Sequence, residues 1–534
     1  MLKLGLATGG TALVGSPSTD AQLLSPHDRP VDLEVKPSPP TTPFVVPLPI
    51  PPVAQPIPVS RLDPPPDPAR HQRYDEFPAQ KFYEFRQSQF LHSYHPELGP
   101  TVSWGYGGIT PGPTIHARWG EPLFVRMHND LPADHVGFAA PSTSTHVHNM
   151  HTASESDGFP MNYINPGEYY DHHYAMSPAG GDRREHMHSM WYHDHRMDFT
   201  APNVYAGLSA FFLAFDEEDS GDENSSDPRA WRLPSGKYDV PLMLHDVLFD
   251  EKGQAAFDVF NTDGLLGDKF TVNRAIQPYF QVEPRKYRFR IQNGGVSRFY
   301  QFFLSTGQPF TVISNDGNML PRPIISDSIH LSVAQRSDVI IDFSQNQPGD
   351  QIYLQNRLEQ VFGQGPTGRL LDAGDNVMRF DVVPLKLPDH SRIPEKFRPL
   401  PPINLAEVDR ERLWVFDYNG GLWTINGGAA DMSEPSAVIP QDSTEIWIIR
   451  NGGGDWSHPV HIHFEEFQII EFNGKPISRD EIRYARKDVL TLGPSDEVKL
   501  YLKFRDFLGK YVMHCHNVVH EDHAMMVRWD IVPS

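Results

Sequence analysis

Four His-x-His units constrain this chain more than any other feature. They are His146/His148, His193/His195, His461/His463 and His514/His516. In a strand, residues i and i+2 face one side and i+1 faces the other. Each unit therefore presents two imidazoles side by side, and four units supply eight. Two units lie early in the chain and two near its end, so distant segments must meet face to face. Eight neutral imidazoles with no carboxylate or thiolate among them suit a multi-copper centre better than a hard cation.

The stretch "YVMHCHNVVHEDHAMM" carries the only cysteine of the chain, Cys515, between His514 and His516. If those histidines face the cluster, Cys515 faces the opposite side of the strand. There it can meet His520 and Met525, with His458 as a second imidazole. Two imidazoles, one thiolate and a weak thioether make up a blue-copper electron-transfer site. The spacing thus predicts two metal sites joined by one residue step on either side of Cys515.

The rest of the text reads as strands. Pro (51) and Gly (40) are plentiful among 534 residues, which favours turns and short strands. A chain of this length calls for about three domains. Residues 1–35 begin with an apolar, Gly-rich run of signal-like length, too short to span a bilayer. It resembles the core of a twin-arginine leader, although no Arg-Arg pair precedes it. Export to the periplasm, cell surface or medium is the expectation, with a disordered tail on a cytoplasmic protein as the alternative. Residues 36–217 hold a Pro-rich arm and a first strand-rich block. An acidic segment at 218–232 reads as an exposed linker. A second block spans 233–384, a Pro-rich joint 385–409, and a third block 410–534. With no helical pattern alternating with the strands, the fold expected is all-β: three β-sandwich or barrel domains. A net charge of −22 argues against a nucleic-acid or anionic-membrane partner, and one cysteine excludes an intrachain disulfide.

Other histidines compete for attention. His172, His173, His186 and His188 are expected in a solvated loop, with an auxiliary copper site as the alternative. His151 reads as structural. Core packing rivals the ligand role for Met525, and His523 and Met526 receive no role.

The motifs "HVHNMH", "WYHDHRM", "HPVHIHF" and "HCHNVVHEDHAMM", in this order and spacing, resemble those of three-domain multicopper oxidases. "PFVVPLPIPP", "WGYGGITPGPTI", "SDGFP" and "VEPRKYRFRIQN" resemble bacterial spore-coat laccases, and "DWSHPVHIH" resembles bilirubin oxidases. The likeness covers about residues 43 to 534. It implies three cupredoxin-like Greek-key domains and four copper ions. By motif position, His146 and His461 match the type 2 ligands. His148, His193, His195, His463, His514 and His516 match the type 3 ligands. His458, Cys515 and His520 match type 1, with Met525 axial. Asp157 and Glu521 match acidic residues beside the cluster, which suggests proton relay or orientation of ligating histidines. Asn149 departs from the Gly common after the first His-x-His.

The activity so implied is laccase-like: four one-electron oxidations of phenolic, aromatic amine or tetrapyrrole (bilirubin-like) reductants, coupled to reduction of O2 to water. Electrons are expected to enter at the outer edge of His458 or His520, with Trp456 either beside that approach or packed inside. The alternatives are a metal oxidase acting on Cu(I), Fe(II) or Mn(II), and a copper-binding surface or coat protein with incidental activity. Oligomeric state is not written in the sequence.

Overall fold

The structure, a computed structural model, describes residues 36–534; the leader expected over 1–35 lies outside the described residues. Residues 38–534 form one compact unit. Its strands build pairs of facing sheets, of four and four strands in the first block and of seven and five in each of the others. In the first block, Lys81–His92 runs parallel to Leu123–Asn129, and Gly112–Arg118 runs parallel to Ser209–Phe215. Parallel neighbours cannot be joined by a hairpin, so the chain crosses between sheets, as in a Greek key. Alternation then sends Tyr83, Trp104 and Ile115 into one core, Leu242, Phe289 and Val339 into a second, and Trp447, Leu500 and Trp529 into a third. Burying each such side chain contributes about 1.5–3 kcal/mol. The result is the expected all-β protein of three cupredoxin-like domains. The described α-helices are Thr200–Ala206 and Val518–Asp522. No described helix is long and apolar enough to cross a membrane.

The Pro-rich arm is anchored through backbone N–H groups between its prolines. Leu48 N donates to Tyr279 O, Ala54 N to Thr114 O and Ile57 N to Phe82 O, each at 2.8 Å. Leu48 is buried in the second core and Ala54 in the first, so the arm ties two domains together.

The acidic segment is not an exposed linker throughout. Asp219 and Glu223 are buried, because the strand Lys286–Asn293 and the residue before it turn arginines toward them. Arg288 Nη1 donates to Asp219 at 2.8 and 3.0 Å and its Nη2 to Asp338 at 2.6 Å, while Arg285 Nη2 donates to Glu223 at 2.7 Å. Arg398, from the Pro-rich joint, pairs with Asp216 and Glu218 and lies 4.9 Å over the Trp231 ring. Sequence composition registers the carboxylates but not these distant partners. Arg288→Met is therefore expected to cost about 3–5 kcal/mol by removing the guanidinium that hydrogen-bonds both Asp219 and Asp338. Urea denaturation measures this, and an unchanged midpoint contradicts it.

Candidate metal centre

The strands Thr145–His148 and Ser189–Asp194 pair antiparallel with His146 opposite His193. In the third domain, His458–Ile462 pairs with Gly509–Cys515, placing His461 opposite His514 and Val460 opposite Cys515. The two strand pairs meet through their imidazoles. His146 stacks on His463 at 4.0 Å between ring centroids, and His148 on His461 at 3.7 Å. Three all-histidine groups result: His146/His148/His461, His148/His193/His516 and His195/His463/His514. Within each, the donor atoms lie within 4.8 Å of one another. The Nε2 atoms of His195, His463 and His514 form a triangle with sides of 3.1 to 3.2 Å. Such a triangle suits one ion at about 2 Å from each nitrogen, a metal–imidazole bond length.

Two acidic residues lie against the outward nitrogens. His463 Nδ1 donates to Asp157 Oδ2 at 2.8 Å, and His146 Nδ1 donates to the Asp157 carbonyl. Glu521 Oε2 lies 2.9 Å from His514 Nδ1 and Oε1 lies 3.4 Å from His195 Nδ1. Each acid therefore reaches toward histidines of both domains. Gly158 permits the approach: it has φ +86°, and a Cβ there would lie 2.4 Å from Thr145 O. Asn149 occupies a turn at φ +72° and donates from Nδ2 to Asp316 O at 2.6 Å. Asparagine tolerates this conformation, so the departure from Gly keeps the turn.

On the other face, Cys515 Sγ lies 3.5 Å from His458 Nδ1 and 3.6 Å from His520 Nδ1. Met525 is fully buried in the same core, and its carbonyl accepts from Cys515 N at 3.1 Å. Met526 faces a separate cluster with Phe159 and Val512. His520 Nε2 donates to Asp263 O at 2.9 Å, and Trp423 stacks on the His520 ring at 3.8 Å. Both His458 and His520 have no exposed area, which corrects the expectation of an open imidazole edge. Trp456 is packed inside. Half-buried Tyr418, 4.6 Å from Trp423, is the outer ring of this aromatic stack.

The donors fit copper. Nε2 of His193 and both ring nitrogens of His516 are buried without a hydrogen-bond partner, an arrangement native proteins avoid unless a ligand satisfies it. Imidazole and thiolate are the ligand types copper prefers. Burial lowers His193 and His458 to about 3 and His195 to about 4, the first helped by its neighbour His195. It pushes the Cys515 thiol up, so a thiolate there needs an adjacent cation. These shifts have a consequence for copper-free protein. The native imidazoles stay neutral while the unfolded ones charge below about 6.5. Stability therefore falls as pH drops from about 6.5 toward 4, by up to ~1.4 kcal/mol per pH unit for each histidine. Melting curves of copper-free protein from pH 7 to pH 5 are expected to shift down, and a constant midpoint contradicts the assignment.

His172, His173, His186 and His188 are buried rather than in a solvated loop. His172 and His173 sit in the strand Tyr169–Tyr174 and are buried. His186 stacks flat on Trp119 at 4.7 Å and its Nδ1 donates to Asp216 at 2.7 Å. His188 Nδ1 donates to Ala214 O at 3.1 Å. Each is held inside by a backbone or carboxylate acceptor, and none belongs to the donor groups above. His151 is structural: its Nε2 donates to Asp506 at 3.0 Å, and its ring stacks on Phe464. Sequence reasoning missed Trp423, Asp263, Arg336 and Asp488. A backbone carbonyl such as Asp263 O has no residue signature, and the others carry no motif.

Residues 92–218, 220–371 and 402–534 each match a multicopper oxidase family model. The chain belongs to the multicopper oxidase family and is a copper oxidoreductase. It is 33% identical to a bilirubin oxidase of Albifimbria verrucaria, over 91% of this chain and 81% of that one. It is 30% identical to a laccase of Bacillus stratosphericus, over 92% and 99% of the two chains. A solved laccase from Pediococcus acidilactici superposes with a TM-score of 0.76 at 25% identity, covering 94% and 96%.

Proposed function

We propose that this chain is a laccase-like oxidase. It takes single electrons from phenolic, aromatic amine or tetrapyrrole reductants and uses four of them, with four protons, to convert O2 to two waters. The observation that carries this reading is the alternation at Cys515, whose thiol and whose flanking imidazoles belong to two different donor sets. When bound, copper supplies reversible one-electron chemistry at the first set and O2 reduction at the second. His458, Cys515 and His520 hold one ion, with Met525 as the weak fourth donor. His146 and His461 hold another. His148/His193/His516 and His195/His463/His514 hold the remaining two.

The backbone on either side of Cys515 leads directly to His514 and His516, giving a short through-bond path between the sets. Around the entry site, the Trp423 ring shields His520 from water and offers a stacked route inward from Tyr418. Asp157 and Glu521 orient His463, His146 and His514 through their Nδ1 atoms and serve as the proton-carrying groups beside the cluster. Names of the relatives, a bilirubin oxidase and a laccase, support the organic reductants. Export through the N-terminal segment completes the reading, and comparison of precursor and mature masses in the native host tests it.

The deciding experiment is a visible spectrum with oxygen uptake. An intense blue band and uptake driven by a phenol or bilirubin are expected. Uptake driven only by Fe(II), Mn(II) or Cu(I) would replace this function with metal oxidation, and binding without uptake would leave a copper-holding surface protein.

A further inference from the structure

Among the described residues, none of the donor groups around the cluster draws on the middle domain, yet that domain reaches the centre. Arg336, in the strand Arg336–Asp342, is buried and forks onto Asp488, with Nη1 to Oδ1 and Nη2 to Oδ2 both at 2.9 Å. Its other donors go to backbone carbonyls: Nε to Ser189 O at 3.2 Å, Nη1 to Ala334 O and Nη2 to Asp316 O, both at 3.0 Å. Ser189 begins the strand that carries His193, so one guanidinium grips the first and third domains together. A second ion pair crosses beside it, with Lys487 Nζ donating to Asp316 Oδ2 at 2.7 Å. The middle-domain turn is pressed close enough that a Cβ on Gly317 would lie 2.5 Å from Ser189 O.

Asp488 faces the cluster with both of its acceptor types. Its carbonyl accepts from His461 Nδ1 at 2.9 Å, and its Oδ2 lies 3.1 Å from His148 Nε2. His148 and His461 come from different domains and are the pair stacked at 3.7 Å. We propose that the Arg336–Asp488 ion pair is a positioning element of the metal centre, through which the middle domain sets the mutual orientation of His148 and His461. This rests on the multicopper reading above. A fork holds a carboxylate in plane and at fixed distance, which a single-point contact does not.

Two variants of the holoenzyme test this. Asp488→Asn keeps the shape and breaks the charge pairing. Arg336→Met combined with Asp488→Leu removes both charges, which buried pairs often tolerate without loss of fold. Copper is titrated out with a chelator and counted per chain, with the blue band reporting the Cys515 site and near-ultraviolet circular dichroism reporting the fold. The expected result is an intact blue band and an unchanged dichroism spectrum, with the other coppers lost at about 10–100-fold lower chelator concentration. Wild-type copper affinity in both variants overturns the proposal. So does uniform loss of all copper together with the dichroism signal, which marks a purely structural pair. If wild-type protein holds copper only at the blue site, the multicopper reading itself falls, and this inference with it.

Discussion

Cys515→Ser is expected to remove the blue absorption band and to lower reductant-driven oxygen uptake by roughly 10³-fold or more. The thiol sits with no exposed area between His458 and His520, 3.5 and 3.6 Å away. A serine hydroxyl is a harder donor and far more reluctant to ionise, so it does not replace the thiolate of a soft site. The all-histidine groups on the opposite strand face are untouched, so most of the copper should stay bound. Metal analysis, spectrum and oxygen electrode together check the prediction. A blue band that survives the substitution would remove Cys515 from the site.

Glu521→Gln is expected to slow O2 reduction by about 10²-fold, the scale of a lost proton-transfer group, while copper content and the blue band stay at wild-type levels. Glutamine preserves the shape of a side chain that lies 2.9 Å from His514 Nδ1 and 3.4 Å from His195 Nδ1. It cannot carry an exchangeable carboxyl proton. Full copper with unchanged turnover rules out the relay. Loss of copper instead assigns Glu521 to orienting the histidines alone, and Glu521→Asp then separates reach from charge.

The grouping of the histidines by strand face was legible because strand alternation is a local rule. A period of two places His514 and His516 on one face and Cys515 on the other wherever the strand ends up, and the same holds for His146/His148 and His461/His463. The three-domain all-β architecture was legible for the same reason, from short strands between Pro- and Gly-rich turns. Less local features were misread. The acidic segment looked exposed because Arg285, Arg288 and Arg398 lie far away in the chain. His172, His173, His186 and His188 looked solvated because their acceptors, among them Asp216 and the carbonyls of Ser156 and Ala214, come from other segments. Asn149 looked like a departure, yet its φ of +72° is one that asparagine supports.

The sequence by itself determined that Cys515 and its flanking histidines fall into two sets on opposite faces of one strand, since side-chain direction along a strand follows from backbone geometry alone. Only the tertiary structure decided how those sets are completed. It stacks His146 on His463 and His148 on His461, covers His520 with Trp423, and brings Arg336 of the middle domain onto Asp488. These contacts join residues from about 100 to more than 300 positions apart, and packing three separate cores against one another is what fixes them.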